Sequence, residues 1–168
     1  SRKDYKTAEK YYRQAIDSNP KHAFSHYNLA VLLEEVKSDF DGAEKHFELA
    51  IEANPRDALA LGDAATFFKN VRKNYDRAEE LFKASIEQDD TCASVLYNYA
   101  NLLKDLNKLD EALANYELAY ALKPNADYML GNILHAKMHL CIWDNFSNQL
   151  TDIKNKINDG KKVISPFA

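Results

Sequence analysis

One spacing recurs through this chain and restricts what it can fold into. Ala8, Tyr12, Ala15 and Pro20 return as Ala43, Phe47, Ala50 and Pro55, then as Ala78, Phe82, Ser85 and Asp90, and again as Ala112, Tyr116, Ala119 and Pro124. The period is 35, 35 and 34 residues. A fixed period of this size marks a repeat array, in which each unit packs on its neighbours. Intervals of four and three put the small and aromatic residues on one face of a helix. The small residue lets a neighbouring helix approach, and the aromatic fills the space beside it. The proline closes the unit because it cannot continue a helix.

Taken in order, the chain reads as a half repeat at 3–20, full repeats at 22–55, 57–90 and 91–124, and the first helix of a fifth at 126–140. Together these make an array over 1–140, followed by a capping helix and an extended tail at 141–168. Helices are predicted at 3–18, then in pairs at 22–36 with 39–53, 57–70 with 74–88, and 91–106 with 109–122. The helix at 3–18 is a second helix with no first helix before it, so the sequence reads as cut from a longer array. Thr91 is expected to cap the helix after it, since Asp90 replaces proline there. Tyr5, Phe40, Tyr75 and Leu109 begin successive second helices and are expected to plug the corner inside each unit. The first two full repeats hold one extra residue in their internal turns. Beyond the array, Trp143, Phe146, Leu150, Ile153 and Ile157 form one apolar stripe of an amphipathic terminal helix.

The pattern resembles the tetratricopeptide repeat (TPR), with an aromatic, a Leu and a small residue on a first helix and Ala, Phe and Pro on a second. His26, Leu29, Ala30 and Leu33 fill the first-helix places in one unit, Leu61, Ala64, Ala65 and Phe68 in the next, and Leu96, Tyr99, Ala100 and Leu103 in the third. The family tryptophan is absent. The resemblance implies an all-α solenoid: antiparallel helix pairs in a right-handed superhelix, whose first helices line a concave groove. A second resemblance lies at the C-terminal end. Cys141, Trp143, the amphipathic helix and Ser165-Pro166-Phe167 are similar to the junction where TPR arrays enter the catalytic region of O-linked N-acetylglucosamine transferase-like glycosyltransferases. That family often has Asp where this chain has Ile142.

In the TPR family, positions two, five, six and nine of each first helix face the groove. Position six reads Asn28, Asp63, Asn98 and Asn132. A side-chain amide both donates and accepts, so a row of them can hold the backbone of an extended peptide whatever its sequence. The second resemblance points the same way, to an asparagine ladder. Asp63 only accepts when ionised and would prefer an amide hydrogen or a basic side chain. The alternative is that these residues serve packing between helices. Around them stand Phe24, Tyr27, Val31, Tyr97, Asn101, Tyr128 and His135, where aromatic rings offer contact area at low entropic cost. Tyr27 and Tyr97 share position five, and Gly62 and Gly131 take it in the alternate units. TPR domains that clamp a chaperone's C-terminal carboxylate carry a basic set. Here Tyr27, Asp63 and Ser94 stand in comparable places without it, which excludes that ligand class.

The pairs His135/His139, with Cys141 nearby, and His22/His26 have ligand types at i and i+4. Neither brings a third and fourth ligand, so satisfied or solvent-facing histidines and no metal are expected. No Gly-rich phosphate loop, nucleophile motif or carboxylate pair appears, so neither a catalytic site nor a cofactor is expected in this chain. Net charge is −4 with no long basic run, which argues against a nucleic-acid partner. No apolar run has membrane-spanning length, and Cys92 and Cys141 make no disulfide framework. The expected role is a protein-interaction scaffold, cytoplasmic or nucleocytoplasmic, holding a partner segment in its groove. The alternative is the substrate-recognising arm of a glycosyltransferase whose catalytic domain lies outside this chain. The oligomeric state is open.

Overall fold

The computed structural model describes residues 4–124 and 128–162. Their regular structure is helical throughout: α1 (Tyr5–Ser18), α2 (Ala23–Leu32), α3 (Phe40–Ala53), α4 (Ala58–Phe67), α5 (Tyr75–Gln88), α6 (Ala93–Asp105), α7 (Leu109–Leu122), α8 (Met129–His139) and α9 (Phe146–Asn158). The chain divides into two compact units, Ser1–Gln88 with α1–α5 and Asp89–Ala168 with α6–α9. Within each, consecutive helices pack side by side.

The repeat governs the helix ends as well as the core. Asp4, Asp39 and Asn74 share one repeat position, and each side-chain oxygen accepts the backbone amide three residues on, at 3.0, 3.0 and 3.2 Å. These caps satisfy donors that a helix start leaves open. Lys108 takes the place before α7 and supplies no such bond. Asn19, Asn54 and Asp89 share another position, where the side-chain oxygen accepts the amide two residues on in an Asx turn. Here the sequence expectation needs correction. Thr91 does not cap α6: its amide and hydroxyl both go to Asp89, at 2.9 and 2.6 Å, and the cap position is Cys92.

The extra residue of the 35-residue units lies in the helix rather than in the turn. α2 and α4 each run on into a five-residue π-helical segment, Leu33–Lys37 and Phe68–Arg72. Left-handed Ser38 and Lys73 follow, with φ 53° and 55°. A π turn absorbs one residue while keeping the backbone bonded. The Asp39 amide reaches back to the Leu33 carbonyl and Asn74 to Phe68, each one residue farther than Lys108 reaches to Leu103 after α6. The wider turn carries a cation onto the preceding second helix. Lys37 Nζ meets Glu9 at 2.6 Å, and Arg72 meets Glu44 at 2.6 Å and Asp41 at 2.5 Å. Lys37 and Arg72 are repeat equivalents, as are Glu9 and Glu44.

Ala43, Ala78, Ala100 and Ala112, with Phe47, Phe82 and Tyr116, are all 0% exposed. Of the residues expected to plug the corners, Tyr5 and Phe40 stay 42% and 40% exposed, whereas Tyr75 and Leu109 are half-buried. Each is the first residue of its helix, where the Cα–Cβ bond tilts back toward the N-terminus and over the turn. α9 starts at Phe146, so Trp143 lies before it, and only Ile153 of the stripe is buried. Ile153 packs with Leu130 and Leu134, against Tyr120 and Phe146. Trp143 and Ile157 stay 57% and 49% exposed. Ser165-Pro166-Phe167 lies outside the described residues.

Candidate functional site

The first helices carry two faces with different fates. In α2, α4, α6 and α8 the residues Leu29-Ala30, Ala64-Ala65, Tyr99-Ala100 and Ile133-Leu134 are buried. Asn28, Asp63, Asn98 and Asn132 stand just before each buried pair and are half-buried. The four are divided between the units, Asn28 and Asp63 in the first, Asn98 and Asn132 in the second.

In the first unit, the Tyr27 hydroxyl of α2 donates to the Asp63 carboxylate of α4 at 2.6 Å. Burial, then the bond and charge of Asp63, push the Tyr27 hydroxyl's pKa well up. Burial raises the Asp63 carboxyl too, the Tyr27 bond opposes it, and the charges of Glu35 and Asp57 add to the rise. Glu34 is raised by burial and by Glu35 and Asp63. Glu34 and Glu35 belong to the π turn, which so brings acids to the neighbourhood of Asp63. Asn28 donates its amide hydrogen to the Phe24 carbonyl of its own helix at 2.7 Å. Phe24 itself is 65% exposed. Asn28 and Val31 also line a cleft of about 400 Å³ with Tyr5, Ala8, Tyr12 and Glu35.

In the second unit, the Asn132 amide of α8 donates to the Tyr97 hydroxyl of α6 at 2.9 Å. The Tyr97 ring lies 5.7 Å from that of Tyr116, whose hydroxyl donates to the Asn101 amide oxygen at 2.7 Å. Burial pushes the Tyr116 hydroxyl's pKa well up. Tyr128 is half-buried, has φ 65° before α8, and donates its amide to the Lys162 carbonyl at 2.7 Å. His135, also on α8, faces His139 with Nε2 atoms 3.2 Å apart.

The two tyrosine bonds are one device used twice. Position five of one unit reaches position six of the next, 36 residues on in the first case and 35 in the second. Gly62 and Gly131 precede the bonded residues, so no side chain at position five competes there. The repeat spacing did not reveal that Asp63 and Asn132 each hold a bond to a tyrosine within their own unit. It missed Tyr116. The available signal was Tyr in a place held by Phe47 and Phe82, with Asn101 where other units have Val31 and Thr66.

The sequence matches the profile of the tetratricopeptide repeat over residues 2–58 and 72–127, more than half of the chain. The chain belongs to the tetratricopeptide repeat family. No curated protein matches it at a significant level. Among solved structures it is similar to MamA (41-end) from Desulfovibrio magneticus RS-1, with TM-score 0.79 at 13% identity over 94% of this chain and 88% of that one. It is similar to pilF of Pseudomonas aeruginosa, with TM-score 0.75 at 18% identity over 87% of this chain and 66% of that one. It is also similar to the first TPR of Spaghetti (RPAP3) bound to the HSP90 peptide SRMEEVD, with TM-score 0.66 at 17% identity over 71% and 93% of the two chains. At these identities the likeness is one of fold. Among the described residues, no helix is long and apolar enough to cross a membrane.

Proposed function

We propose that this TPR chain is a protein-interaction scaffold that holds an extended peptide segment along the open faces of its first helices, and that it works by binding rather than catalysis. The observation that carries this is the half-buried polar position beside each buried pair, repeated on α2, α4, α6 and α8. A side-chain amide has two donor hydrogens and two acceptor lone pairs and a carboxylate about four acceptor sites, so each keeps capacity for the backbone of a ligand beside its internal bond. Phe24, Tyr27, Tyr97, Asn101, Tyr128 and His135 supply the surrounding contacts.

The first unit adds a charge preference. Glu34, Glu35, Asp57 and Asp63 act on one another there. A basic or neutral segment fits this face, and an acidic one is repelled. The Spaghetti TPR holds a peptide with three acidic residues and one basic; this chain is built for the opposite sign. Two unpaired thiols, Cys92 and Cys141, suit a reducing compartment, cytoplasmic or nucleocytoplasmic. The glycosyltransferase-arm reading gains nothing from the geometry. Cys141 is the left-handed stop after α8, at φ 56°, and Trp143 packs edge-on against Phe146 at 5.1 Å.

The test is fluorescence anisotropy with extended peptides of matched length carrying positive, zero or negative charge. Binding should fall in that order, and Asp63→Asn with Glu35→Gln should flatten it. Equal binding of all three, or preference for the acidic peptide, would overturn the charge assignment. Asn98→Ala should weaken the favoured peptide several-fold, because a hydrogen bond there nets about 0.5–1.5 kcal/mol. Full affinity in a folded Asn98→Ala protein would show that position six is not a ligand contact.

A further inference from the structure

Two histidine pairs face each other in this chain, and they differ in what they can do. In the pair His26 and His46, His26 is buried with both ring nitrogens engaged. Their Nδ1 atoms are 2.9 Å apart, His26 is 2% exposed, and its Nε2 bonds to the Pro20 carbonyl at 3.0 Å. His135 and His139 are open. They lie one turn apart on α8, with His139 exposed and His135 half-buried. Their Nε2 atoms are 3.2 Å apart and their rings 4.4 Å apart at 52°. Neither ring has another hydrogen-bond partner among the described residues.

We propose that His135 and His139 form a two-ligand site for a borderline divalent transition ion, Zn²⁺ or its Ni²⁺ and Cu²⁺ neighbours. Two imidazole nitrogens on one tetrahedral zinc, each at about 2.0–2.1 Å, stand about 3.3–3.4 Å from one another. The 3.2 Å separation lies close to that requirement, so a small ring rotation exchanges the contact between the two nitrogens for a shared ion. The helix fixes both Cα positions, so little order is lost on binding. Imidazole suits these ions, whereas calcium and magnesium require oxygen ligands. Among the described residues no group of three or more ligating side chains surrounds the pair. The described residues thus give two ligands, and water takes the remaining positions in the proposed site. A carboxylate or imidazole from a bound segment can replace that water; this second step alone rests on the peptide-binding reading.

The metal itself is the probe. Zn²⁺ is titrated calorimetrically into the full chain carrying Cys92→Ser and Cys141→Ser, so that thiols do not contribute. The expected result is saturation at about one ion per chain. Affinity should fall about tenfold or more for His139→Gln or His135→Gln, as chelation by a tethered second ligand is lost, and stay unchanged for His22→Gln. Circular dichroism confirms that the variants fold. In the protein with native histidines, imidazole nitrogen spectra should show Zn²⁺ shifting Nε2 of His135 and His139 and leaving those of His26 and His46 in place. Absence of saturable binding would overturn the proposal, as would binding that survives His139→Gln or shifts confined to other histidines. Peptide is left out throughout, so failure here does not touch the peptide-binding reading, nor its failure this one.

Discussion

At the scale of single residues, the buried polar groups decide most. Asp63 keeps one strong internal bond, from Tyr27 at 2.6 Å. Removing that hydroxyl leaves a half-buried carboxylate short of a donor. Tyr27→Phe should cost about 1–3 kcal/mol, read from the urea midpoint at pH 7. Restoring the parent midpoint in the double variant Tyr27→Phe, Asp63→Leu would confirm the cause. The His26/His46 pair supplies a pH response. The Pro20 carbonyl can only accept, so His26 carries its proton on Nε2 and accepts on Nδ1, and His46 must donate from its own Nδ1. Burial first, then His26, pushes the His46 imidazole down to about 4 from an ordinary 6.5. The folded state thus prefers neutral His46. The stability this brings is complete above the unfolded pKa near 6.5 and is lost as pH falls from there toward about 4. Thermal melts between those limits should drop more steeply for the parent than for His46→Gln.

At the scale of elements, the helix ends and the helix crossings carry separate weights. Ala78 is 0% exposed on α5, so Ala78→Leu should cost roughly 1–3 kcal/mol by overpacking. A melt matching the parent would show that the neighbouring helices yield. Lys73 closes the π turn of α4 in the left-handed region, at φ 55°. A side chain there is strained and glycine is not. Lys73→Gly should raise stability by about 0.5–1 kcal/mol, measured by chemical denaturation. Asn107→Gly should gain less, since asparagine tolerates that conformation. The ion pairs of Arg72 with Asp41 and Glu44 are more modest, because Asp41 is 93% exposed in its side chain.

At the scale of the whole molecule, stability in each of the two units comes from contacts between consecutive helices. Net charge is −4, and the first unit gathers acids beside its polar positions. Association with a basic segment should therefore weaken as salt rises from 50 to 500 mM, roughly as exposed charges are screened beyond about 10 Å at 0.1 M. The measured on-rate should fall more than the off-rate rises. A salt-independent on-rate would show that the acids do not steer the partner.

The period of small and aromatic residues was enough to determine the fold class and nearly every helix, because burying Ala43, Ala78 and Ala112 requires a helix pressed on each. It also put Asn28, Asp63, Asn98 and Asn132 at one repeat position. It did not reveal the bonds these residues make, since Tyr27 meets Asp63 across 36 residues, a pairing that depends on where two helices stand in space. The extra residue was visible in the count, but its place in a π turn was not, because turn and helix end can both absorb one residue. The exposure of Tyr5 and Phe40 has a related reason: the first residue of a helix projects back over the turn, and the period does not encode that direction. The separation of the His135 and His139 nitrogens depends on ring rotation as well as helix spacing, so only the tertiary structure decided it.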